Sequence, residues 1–78
     1  MNKNIYISVD ITDYGNGFIN CVLLQSIDDG ELESTQLDEN HANTLMWELV
    51  KAGGKRSYRS NYLDPTIVYH GAYLFLPY

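Results

Sequence analysis

What this chain lacks excludes more than any motif it carries. Of its 78 residues only Cys21 is a cysteine, so no internal disulfide can staple the fold. A lone cysteine suits a reducing compartment, and a cytoplasmic location is expected. The longest apolar stretches, Cys21 to Leu24 and Ala72 to Pro77, fall far short of the ~20 residues a membrane helix needs, so no membrane partner is expected. The N-terminus reads Met-Asn-Lys-Asn and then alternates, without the apolar core of a signal peptide. His41 and His70 are the only histidines, and no further Cys or His stands near them at metal-ligand spacing. No glycine-rich loop opens a helix, since Gly15-Asn16-Gly17 joins two strand-like segments. Neither a metal nor a cofactor is expected.

What remains is one small domain over residues 1–78, with no internal repeat or linker. A hydrophobic fraction of 45% is ordinary for a globular chain and too high for a disordered one. A domain this size buries only about 60% of the surface its unfolded chain exposes, so help from a partner or a second copy is expected.

The charges are split along the chain. Residues 1–48 hold nine acids and one base, Lys3, a net of −8. Residues 49–78 hold Lys51, Lys55, Arg56 and Arg59 against Asp64, a net of +3, and together these make the chain's −5. Segregated charge repels itself within each segment, a cost that folding does not require, and this points to a surface shaped for partners.

Periodicity predicts the elements. Ile5, Ile7, Val9 and Ile11 alternate with polar residues as in a half-buried strand. Asn16-Gly17 predicts a tight hairpin, on the premise that both residues tolerate positive φ. Phe18 to Ile27 is apolar on both faces and is expected at the centre of the sheet. Asp28-Asp29-Gly30 predicts a turn, and Glu31 to Leu37 a charged edge strand. Asp38 is a good N-cap for a helix over 39–52, with Ala42, Leu45, Met46, Leu49 and Val50 in one stripe, Trp47 beside it and Gly53-Gly54 ending it. Residues 56–62 alternate as a strand, or 55–65 stay a loop if the turn lies at His70-Gly71. Asp64-Pro65 predicts a turn, and Thr66 to Leu76 a final strand with a bulge at Gly71. The expected fold is α+β, a small antiparallel sheet in the order βββαββ with one helix packed on one face.

Three constellations carry the functional expectation. Asp28, Asp29, Glu31, Glu33, Asp38 and Glu39 form an acidic run that either docks a basic protein partner or is a solvated turn, edge and helix start. Lys55, Arg56, Tyr58, Arg59 and Tyr62 interleave bases with rings, which suits phosphates and stacked nucleobases, or else an exposed strand. Tyr69, Tyr73 and Phe75 belong to a tyrosine-rich end expected to form a homodimer, by pairing of the last strand or by packing of its aromatic face. Cys21 and His70 could be imagined as nucleophile and base, but a mid-strand apolar setting makes the thiol inert. An enzyme is not expected.

The acidic run Asp28 to Glu39, the short meander around Asn16-Gly17 and the tyrosine-rich end together resemble the small acidic proteins that bacteriophages encode against host defences, such as anti-CRISPR proteins. That resemblance implies a non-enzymatic protein-binding module that blocks a nucleic-acid-handling complex by occupying its surface. A small RNA- or DNA-binding domain acting through Lys51 to Tyr62 is the alternative.

Overall fold

The computed structural model describes residues 4–28 and 30–77. The chain runs β1 (Asn4–Asp13), β2 (Ile19–Ile27), β3 (Glu33–Leu37), α1 (Glu39–Lys51), β4 (Lys55–Ser60) and β5 (Val68–Pro77). All strands pair antiparallel in one sheet of order β3-β2-β1-β5-β4, with the helix on one face. The α+β expectation holds.

β1 is the centre of this sheet because its apolar face has partners on both sides. Val9 lies between Leu23 and Ala72, and Ile11 between Cys21 and His70. Val9, Ile11, Cys21 and Ala72 meet Ala42, Met46 and Leu49 of the helix in the core, with Leu23 packed against them. Asp38 caps the helix as expected, its carboxylate accepting the His41 backbone N–H at 2.7 Å. Gly53, at φ +100°, lets the chain turn away after the last helical residues.

The structure corrects several expectations. β2 lies inside the sheet but next to its edge, and the centre falls to β1. The first hairpin is not a two-residue Asn-Gly turn. Gly15 and Gly17 hold positive φ while Asn16 does not, and Phe18 lies outside the strand. Residues 55–60 form a strand, which decides against the loop.

Gly71 is no bulge, because the β1–β5 register runs unbroken through Asp10↔Gly71. Its requirement is steric. A Cβ there would stand 2.0 Å from the Val9 carbonyl oxygen. β5 is also not an edge strand: it lies between β1 and β4, so dimerisation by pairing of this strand is closed off.

Candidate functional site

The sheet order turns the charge split along the chain into a split across the molecule. β3 forms one edge and β4 the other, separated by four strand spacings, about 19 Å. At the β3 edge, Asp28, Glu31 and Glu33 stand at one end of the strand, and Asp38 and Glu39 at the other. All five are exposed, and Asp29 lies outside the described residues. Among the described residues Asp38 alone of the five has an ion-pair partner, His41 at 3.0 Å. The His41 backbone N–H, aided by its ring, holds the Asp38 carboxyl below the usual range. β3 pairs only with β2, so its outer backbone edge is open.

The basic-aromatic set is divided by the pleat of β4. Residues opposite one another in an antiparallel pair share a face. Arg56 and Tyr58 sit opposite Ala72 and His70, on the helix side. There the Arg56 guanidinium lies 4.7 Å from the centre of the Trp47 ring. Lys55 and Arg59 sit opposite Tyr73 and Tyr69, on the helix-free side, and the Arg59 guanidinium lies 4.8 Å from the Tyr69 ring centre. Tyr62 belongs to neither face: it stands 96% exposed in the loop before β5.

The helix-free face is a surface the sequence reading did not assemble. Tyr6, Ser8, Asp10 and Thr12 of β1 alternate with the core residues, and opposite them lie Phe75, Tyr73, Gly71 and Tyr69 of β5. Tyr73 is 41% and Phe75 53% exposed. Asn61 donates a side-chain hydrogen bond to the Tyr69 hydroxyl at 2.7 Å, fixing that ring. The row Val22, Asp10, Gly71 and Ser57 crosses this face, with Gly71 buried. Beside it lies a hollow of about 290 Å³, lined in part by Asp10, Thr12, Ser57, Arg59 and Tyr69. Among the described residues Asp10 is the only carboxylate on this face, and partial withdrawal from water raises its pKa. The signal for this face was present in the sequence: the polar half of β1 contains a tyrosine, and the second face of β2 carries Val22 and Leu24.

Compared with known proteins, the chain matches no family model, no curated protein and no solved structure.

The geometry also bears on reactive chemistry. Cys21 and His70 flank Ile11 on the same face, two strand spacings or about 9.6 Å apart, too far for direct proton transfer between them. Burial, with the Glu39 and Asp38 charges adding to it, pushes the Cys21 thiol up. Among the described residues no group of three or more His, Cys, Asp or Glu side chains could hold a metal ion. No helix among them is long and apolar enough to cross a membrane.

Proposed function

We propose that this chain is a non-enzymatic protein-binding module whose acidic β3 edge captures a partner with a basic surface. The observation that carries this reading is the open edge of β3, with exposed carboxylates at both of its ends. An extended segment of a partner can add to such an edge through main-chain hydrogen bonds, while its lysines or arginines meet Glu31 and Glu33. Proteins that handle nucleic acids carry basic surfaces to hold phosphates, so they are the class of target. Occupying that surface would inhibit them, as the likeness to phage anti-defence proteins implies.

The test has two stages. Partners are first captured from a cell lysate on the immobilised chain and identified. Association of the purified partner is then followed by surface plasmon resonance. Reversing Glu31 and Glu33 to lysine is expected to slow association severalfold at low salt, with the difference fading as salt rises. An unchanged rate removes the β3 edge from the account.

A second reading rests on Lys55 and Arg59, which border Tyr73 and Tyr69 on the helix-free face. Bases beside exposed rings suit single-stranded nucleic acid. Asp10 at the centre of the face and a net charge of −5 weigh against it. A gel shift with oligo(dT) decides the matter: no complex at low salt and micromolar protein ends this reading.

A further inference from the structure

The helix-free face is complementary to itself. Its exposed knob, Tyr73, stands two residues from the buried Gly71, on the same strand and the same side, and the hollow lined in part by Asp10, Ser57 and Arg59 flanks that glycine. Consider a two-fold axis between two such faces, perpendicular to the strands and passing over Ala72. The register carries that axis over Val9 and Leu23 as well. It lays every strand antiparallel on its own copy and exchanges 73 with 71, 75 with 69, 24 with 22, and 8 with 10.

We propose that a second copy of this chain docks on the helix-free face in this way, each Tyr73 ring entering the partner's hollow between Asp10, Ser57 and Arg59. Phe75 then stacks over the partner's Tyr69, and Leu24 packs on the partner's Val22. The same axis sets Ser8 opposite the partner's Asp10.

The dimensions are adequate. Four strand spacings by the length of ten-residue strands span about 19 by 34 Å, roughly 650 Å² in projection. β3 and β4 are shorter, but side-chain relief adds accessible area, and the sum approaches the ~800 Å² per partner of a standard interface. The same axis also places β3 beside β3 and β4 beside β4, so like charges adjoin at both edges. Dimerisation therefore strengthens with salt, whereas capture of a basic partner by the β3 edge weakens with it. The two readings fail separately, because this one uses the sheet face and the other its edge.

Sedimentation equilibrium with the full chain tests the proposal. The expected mass is twice 8.9 kDa at tens of micromolar protein, with tighter association in 0.5 M than in 0.05 M sodium chloride. Tyr73→Ala is expected to weaken the dimer at least tenfold with unchanged far-ultraviolet circular dichroism, while Tyr73→Phe, which keeps the ring, stays dimeric. Wild-type protein that remains monomeric at 100 micromolar in high salt overturns the proposal. So does a dimer that Tyr73→Ala leaves intact, since its interface lies elsewhere. A monomer that binds oligo(dT) through Arg59 and Tyr73 gives the face to nucleic acid and likewise overturns it.

Discussion

Replacing Gly71 by alanine is expected to cost this protein a large share of its stability. The added Cβ would lie 2.0 Å from the Val9 carbonyl oxygen, where carbon and oxygen ordinarily approach to about 3.3 Å. Backbone oxygen cannot swing aside as a flexible side chain can, so β1 and β5 must part by about 1 Å. Ladder hydrogen bonds near 2.9 Å do not survive that shift. Losing two or three at about 1 kcal/mol each, together with loosened packing of the buried Val9 and Ala72, gives about 3–5 kcal/mol. A chain of 78 residues has about 4–12 kcal/mol in total. Urea unfolding followed by circular dichroism measures the loss. Gly53→Ala is the control, because its φ of +100° strains an alanine while nothing lies within 4 Å of the added carbon. That substitution is expected to cost only about 1–2 kcal/mol. If Gly71→Ala costs no more than Gly53→Ala, the close approach of β1 and β5 is not what requires glycine.

Further outcomes follow from the core, the cap and the thiol. Met46, 1% exposed, is the largest fully buried side chain, and Met46→Ala is expected to lower the unfolding free energy by about 2–5 kcal/mol in the same urea assay. Asp38 has a lowered pKa in the fold, so its contribution is complete above the ordinary carboxylate range and is lost as pH falls through the lowered value. Thermal melts across acid pH should show this loss, and Asp38→Asn, which keeps a capping oxygen, should flatten it. Cys21, buried and with a raised thiol pKa, should react with a disulfide reagent at pH 8 only as fast as the protein opens, and promptly in urea. Prompt reaction in native buffer would show that the thiol is accessible.

Local structure was legible where one residue pattern decided it. The alternation of Ile5, Ile7, Val9 and Ile11 has no helical counterpart, and Asp38 followed by the Ala42–Leu49 stripe has no strand counterpart. The order of strands was not legible, because pairing depends on which faces meet after the chain returns. β5 reads as an exposed aromatic edge when taken alone and becomes interior only because β1 receives it on its open side. Gly71 could not be read for the same reason: the oxygen that forbids a side chain there belongs to a residue 62 positions earlier. The candidate site was legible in its charges and not in its geometry. Lys55 and Arg59 separate from Arg56 and Tyr58 through the pleat of β4, yet they meet Tyr69 and Tyr73 only because of the β4–β5 register.

The pairing of the first strand with the last also shapes how the molecule comes into being. β1 is made before the other four described strands and forms the middle of the sheet, yet one of its two neighbours is β5, with Asn4 opposite Pro77. During synthesis β1 and β2 can close a hairpin, but the β5 side of β1 stays bare until residue 77 has emerged. Closing so long a loop places the entropic cost before the reward and slows folding. Once formed, the sheet holds the two ends of the segment in adjacent strands. A short linker could join them, and new ends opened in the exposed stretch between β4 and β5 would turn the slow pairing into a local hairpin. The same sheet would then fold in a different order of events.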